Sequence, residues 1–367
     1  MNMRTPSTVG YANARLRARR QRIFREDDYN ALMGAASVDD LIRRLRQSVY
    51  APFVDAAALR ASGADVVGAA TSQYFASELA FVTSMYTRSN RRCIEVIAAN
   101  QDLVDFKTVI RGKLAGAASA RVTEAFIGSG WTIKQTDLQL LAAQETIGDV
   151  IDVALTLKMP YARILRQHAG QLRESMQLDK TITEDDALIA FERSLDKAYY
   201  RWANRRLDFG RDKSRIVRWY IKSKIDISNI LIAQRALHAS EDDQELVNSY
   251  FIEGGQDVSR ALFDNLLAAE SIEQTATLLD RTQYAKPMQE GLVAYALDGS
   301  LNAFERRLTD FLFFTMQRKG YQDLLGMGLP VAYVLALNAE AINVRIIAHA
   351  KSYHVSDDLI SEELIHV

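Results

Sequence analysis

Apolar residues recur at helical spacing along most of the chain. In segment 39–45, Leu41, Ile42 and Leu45 fall on one face of a 3.6-residue helix, and Phe304, Leu308 and Phe311 do the same later. Two-residue alternation flanked by hairpin turns, the mark of half-buried strands, is hard to find. The breaks are short: Ser62-Gly63, Gly128-Ser129-Gly130, Ser240-Glu241-Asp242-Asp243 and Gly254-Gly255. This pattern predicts an all-α protein. An uncharged stretch between Asp323 and Glu340 contains Gly326, Gly328, Pro330 and Asn338. It falls short of the ~20 residues that a bilayer core requires. It reads as a buried helix starting near Pro330, because proline's fixed φ and missing N–H suit a first helical turn.

The polar positions between these stripes repeat. Leu140-Leu141-Ala142-Ala143, followed by Thr146-Ile147, recurs as Leu266-Leu267-Ala268-Ala269, followed by Ser271-Ile272. A weaker copy, Leu32-Met33 followed by Ser37-Val38, lies in the first third. Ser37, Thr146 and Ser271 each stand where a helix N-cap is expected. Leu45 and Tyr50 match Leu279 and Tyr284 at one constant spacing, and Tyr161 is a looser counterpart. A second motif opens with Asp102, Asp226 or Glu340, continues three residues later with Asp105, Asn229 or Asn343, and closes with Arg111, Arg235 or His349. Both motifs keep their order in each third, so three helical units are expected, at 1–119, 120–243 and 244–367. Residues three apart share a helical face. The six polar side chains therefore either cap a neighbouring helix or bond its exposed carbonyls, as buried polar groups must, or line a central surface used by a partner.

Composition narrows the function classes. The 367 residues carry a net charge of -1, which gives the whole molecule no bias toward nucleic acid or acidic lipid. The lone Cys93 reads as a small packing residue, and the histidines at 168, 238, 349, 354 and 366 are scattered rather than set at metal-ligand spacing. Arg111-Gly112-Lys113-Leu114 lacks the upstream glycine and the Ser/Thr of a phosphate loop, and Gly128-Ser129-Gly130 completes no dinucleotide fingerprint. No cofactor, metal, small-molecule substrate or nucleic-acid partner is expected, and no ATPase activity from this chain alone. Arg15, Arg19 and Arg22 share one face of an N-terminal helix and form either a solvated surface or a docking face for an acidic partner or lipid headgroups. Tyr199-Tyr200-Arg201-Trp202 is rich in interface-type residues, though core packing is the simpler reading.

Several of these segments resemble the C/d family of central-stalk subunits of the V/A-type rotary ATPases. They are Tyr11-Ala12-Asn13-Ala14-Arg15-Leu16-Arg17, Arg25-Glu26-Asp27-Asp28-Tyr29 with Ser37-Val38-Asp39-Asp40-Leu41, Asp105-Phe106-Lys107-Thr108-Val109-Ile110-Arg111-Gly112-Lys113, and the segment 333–345 with Glu340 and Asn343. Departures are Leu337-Asn338, where the family pattern has Lys-Glu, and His349, where it has arginine. The resemblance implies a funnel-shaped body of three pseudo-symmetric helical repeats and a non-catalytic role in the central stalk. It would sit on the cytoplasmic face of the membrane-embedded proteolipid ring, receive the foot of the central axle in a socket and pass torque between them. Two rivals remain: a helical-repeat interaction scaffold outside the rotary ATPases, and a helical enzyme using carboxylates such as Asp102, Asp105 and Glu340.

Overall fold

The computed structural model describes residues 9–128, 130–174, 184–208, 214–237 and 247–365. Residues 1–8, Ser129, His238, the expected break and boundary at 240–243, and His366 lie outside them. Among the described residues every regular element is a helix or a helical turn. The first passage runs through α1 (Val9–Arg19), α2 (Glu26–Met33), α3 (Val38–Leu45) and α4 (Ala51–Ala58) into the long α5 (Ala64–Ser84) and α6 (Arg88–Leu114). The second comprises α7 (Ser119–Glu124), α8 (Gln135–Ala142), α9 (Ile147–Thr156) and α10 (Ala162–Glu174), then the long α11 (Glu184–Leu207) and α12 (Arg215–Ala236). The third comprises α13 (Arg260–Leu267), α14 (Ile272–Leu278) and α15 (Ala285–Asp298), then the long α16 (Asn302–Gln322) and α17 (Gly328–Ser352), with α18 (Asp357–Glu363) at its end.

The expected helix starts are present. Ser37 accepts a bond from the Asp40 N–H, Thr146 from the Asp149 N–H and Ser271 from the Gln274 N–H. Asp149 returns a bond from the Thr146 N–H, which completes a reciprocal cap. Each such cap contributes about 1 kcal/mol to its helix.

The uncharged stretch before Glu340 forms most of the first half of α17, which begins at Gly328 and places Pro330 in its first turn. By length and composition α17 is the one helix among the described residues able to cross a membrane, yet 78% of its apolar window is buried inside the protein. A helix that is apolar on all sides must be covered on all sides. Here α5, α6, α12 and α16 cover it, together with α1, α2 and α3. Gly320 lets α16 turn tightly back into α17, because a Cβ there would stand 2.6 Å from Ala332 Cβ and 2.7 Å from the Gly328 carbonyl oxygen.

The long helices pair across the passages: α6 on α11, α12 on α16 and α17 on α5. Ion pairs join Arg111 to Glu192 across the first pair and Arg235 to Glu305 across the second. His349 forms no ion pair among the described residues. Leu337 is buried in the core, a position that a charged side chain could occupy only at high cost. Cys93 is buried, and burial pushes its thiol up to about 12.

Candidate functional site

The six repeated polar residues lie on three long helices: Asp102 and Asp105 on α6, Asp226 and Asn229 on α12, Glu340 and Asn343 on α17. None is more than 1% exposed. Each is occupied by the chain's own backbone. Asp102 accepts bonds from the Thr132 and Ile133 N–H groups, 30 and 31 residues further on. Asp226 accepts from the N–H groups of Gln256, Asp257 and Val258, 30 to 32 residues further on, at 2.7–3.1 Å. Glu340 instead accepts from the Phe24 N–H at 2.6 Å, 316 residues earlier. Three successive N–H groups converging on one oxygen pair make a concavity suited to an anion, which is why a carboxylate fits there.

In the first two motifs the second residue fixes the same connection from the side, whereas Asn343 holds Ile365 rather than the Phe24 segment bound by Glu340. The Asp105 carboxylate accepts the backbone N–H groups of Ile127 and Gly128 and the side-chain amide of Gln101. Asn229 both donates to the Ile252 carbonyl and accepts from the Ile252 N–H, each at 2.9 Å. Asn343 does the same with Ile365. The change from Asp to Asn follows from chemistry: three donors and no acceptor suit a carboxylate, whereas one donor and one acceptor suit an amide. Gly255 allows the loop to approach Asp226, since a Cβ there would fall 2.0 Å from Asp226 Oδ1.

Tyrosines complete the arrangement. Tyr50 donates its hydroxyl to Glu340 at 2.7 Å and Tyr284 donates to Asp226 at 3.0 Å. These are the two tyrosines that the sequence relates by one constant spacing. Tyr161 titrates above its ordinary range because it is buried and, secondarily, because it feels the charge of Asp102. Burial dominates the carboxyls as well: it raises Asp105 to about 6 and Glu340 to about 7, against the opposing effect of their hydrogen-bond donors.

Two buried groups escaped the sequence reading. Glu78 on α5 binds Arg19 through both oxygens and accepts the Tyr333 hydroxyl at 2.8 Å. Arg345 on α17 donates to Thr71 Oγ1, Ser72 Oγ and the carbonyls of Gly68, Ala125 and Phe126. It is 8% exposed and its acceptors are neutral, so burial lowers its pKa to about 10. Neither belongs to a repeated motif. A lone charge inside an apolar run, as in segment 341–348, is the only signal either could have given.

The basic N-terminal face divides in the structure. The α-helix ends at Arg19, and Arg20–Arg22 form a 3₁₀ turn before the chain extends at Ile23 and brings the Phe24 N–H to Glu340. Arg15, Arg19 and Arg22 therefore do not share one α-helix. Arg19 is held by Glu78 and lies 4.0 Å above the Phe81 ring, Arg15 lies 5.3 Å above the same ring, and Arg15 and Arg22 are exposed. His168 is satisfied by Ser194 and Gln171.

The state of Glu340 sets an expected pH dependence. Its folded pKa of about 7 lies above the ordinary carboxyl value of 4.5, so the folded protein binds the extra proton. The stability this confers is fully present below the ordinary value and is lost as pH rises through about 7. Denaturation midpoints should fall from pH 5 to pH 8 by an amount worth roughly 2–3 kcal/mol from this group. The Glu340→Gln variant should flatten that slope. An unchanged slope in the variant would assign the effect to another group.

The family described as ATP synthase (C/AC39) subunit matches residues 12–363. The chain is similar to the protein named as the C subunit of the A-type ATP synthase in Haloferax volcanii, with 28% identity over 364 residues, 98% of each chain. It is similar to the protein of the same name from Methanocaldococcus jannaschii, with 24% identity over 355 residues, 97% of this chain and 86% of the relative. Its counterpart from Methanosarcina acetivorans is 25% identical over 360 residues, 98% of this chain and 93% of the relative.

Proposed function

We propose, from the premise that this chain belongs to the ATP synthase (C/AC39) subunit family, that this non-catalytic rotary-ATPase subunit joins the central axle to the membrane proteolipid ring and carries torque between them. It would do so as a peripheral protein on the cytoplasmic face of the membrane. The body would be a funnel of three pseudo-symmetric repeats, at 1–119, 120–243 and 244–367, with the axle foot in the socket.

The observation that carries this reading is the set of matched clasps. Asp102 and Asp226 bind the backbone of a following segment and Glu340 that of a much earlier one, so that the last joins α17 to Phe24 and Tyr50 near the other end of the chain. Tyr333 with Glu78, and Asn13 with the carbonyls of Leu324 and Gly326, tie the same two regions together. A body that transmits torque must resist splaying, and a helical array closed on itself resists it better than an open one. On this reading Asp102, Asp105, Asp226, Asn229, Glu340 and Asn343 stiffen the body rather than touch the axle. Arg15 and Arg22 remain the members of the basic face free to meet an acidic partner.

The test is reconstitution. The purified chain should bind the axle subunits of its own complex, and membranes stripped of it should hydrolyse ATP without moving ions until it is restored. Absence of axle binding, or full coupling without the chain, would overturn the proposal. Calorimetry should find no ATP binding to the isolated chain; a Kd of about 1 μM, worth about 8 kcal/mol, would do so too.

A further inference from the structure

A hollow of about 570 Å³ lies between α10 and the C-terminal half of α11. Tyr161, Ile164 and the half-buried Trp202 give it an apolar wall, and Arg163, Arg201 and Arg205 stand around it. Among the described residues no carboxylate lines it. The three arginines are exposed and form no ion pair among the described residues, whereas the neighbouring Arg206 is held by Glu95. Within the Tyr199-Tyr200-Arg201-Trp202 run, Tyr199 and Tyr200 are core residues, and Trp202 is the aromatic residue that opens onto this space beside Arg201. Arg201 and Arg205 stand one helical turn apart on α11, so their guanidinium groups project on one side of it.

We propose that this hollow is a docking site for an acidic segment of a partner protein. One apolar side chain of the segment fills the space beside Trp202, Tyr161 and Ile164, and carboxylates flanking it meet Arg163, Arg201 and Arg205. Guanidinium groups pair with carboxylates through two parallel bonds, and an aromatic wall rimmed by arginines has the composition of an interface anchor. A small anion is a poorer match, because these arginines are solvated on the rim and do not converge on a buried point. A bilayer is also a poorer match, because its flat surface offers no single side chain to fill a hollow of about 570 Å³. The proposal rests on the charge and shape of the site, and it stands or falls separately from the stalk reading.

The experiment uses the full chain and a labelled dodecapeptide with one central leucine flanked by glutamates. Saturable binding to the wild type is expected, weakened about tenfold, or 1.4 kcal/mol, in the R201E/R205E variant and again in R163E. It should also fade as salt rises toward about 1 M, where charges are screened beyond about 3 Å. A peptide with glutamine in place of glutamate should not bind. The helical circular dichroism of the variants should match the wild type, since all three arginines are exposed. Equal peptide binding by wild type and variants, or none to either, overturns the proposal. So does arginine-dependent binding of tripolyphosphate or of phosphatidylserine vesicles when the acidic peptide fails to bind.

Discussion

Replacing Asp226 with alanine should destabilise the protein by about 3–5 kcal/mol, measured by urea denaturation. The carboxylate is completely buried and receives four donors: the N–H groups of Gln256, Asp257 and Val258 and the hydroxyl of Tyr284. Each buried donor left without an acceptor costs about 1–3 kcal/mol, so the loss far exceeds that of one surface bond. Asn at this position keeps the shape but turns an amide NH₂ toward donors, and should cost about half as much. Tyr284→Phe alone should cost about 1 kcal/mol, and the Asp226→Ala/Tyr284→Phe double variant should cost less than the sum, since both remove the same bond. A loss below about 1 kcal/mol for Asp226→Ala, accompanied by weakened axle binding, would transfer this residue from holding the fold to lining the socket.

Arg345→Ala should lower stability by about 3–4 kcal/mol. Its guanidinium gathers the first half of α5, at Gly68, Thr71 and Ser72, and the segment just after α7, at Ala125 and Phe126, onto α17. Lysine cannot replace it, because three donors on one nitrogen do not reach acceptors spread over two elements, so Arg345→Lys should recover less than half of the loss. Hydrogen exchange should locate the damage: amides around 68–72 and 122–128 should lose protection before those of α12. Uniform loss across all helices would instead mean that Arg345 contributes to global stability without a particular hold on this junction.

Much of this architecture was legible in short stretches of chain. Ser37, Thr146 and Ser271 cap helices in the structure as their sequence context predicts, because capping is settled within one turn. The apolar run 328–337 buries itself as the first part of α17 for an equally local reason: it has no charged side chain to turn to water. The repeated acids and amides marked buried positions on α6, α12 and α17, and the shared spacing of Tyr50 and Tyr284 marked the hydroxyls that two of those acids bind.

The partners were not legible. Nothing near Glu340 announces Phe24, and nothing near Arg345 announces Gly68 or Phe126, because those bonds span 316, 277 and 219 residues. The division of the basic face has the same origin: Arg19 is drawn to Glu78 across 59 residues, while Arg15 and Arg22 stay exposed. Sequence by itself determined the helical class, the capped starts, the buried character of α17 and the identity of the polar positions, since periodicity, capping and side-chain type act over one or two turns. Only the tertiary structure decided what those polar positions hold, because a buried carboxylate or guanidinium takes whichever backbone groups the packing of distant helices brings within about 3 Å of it.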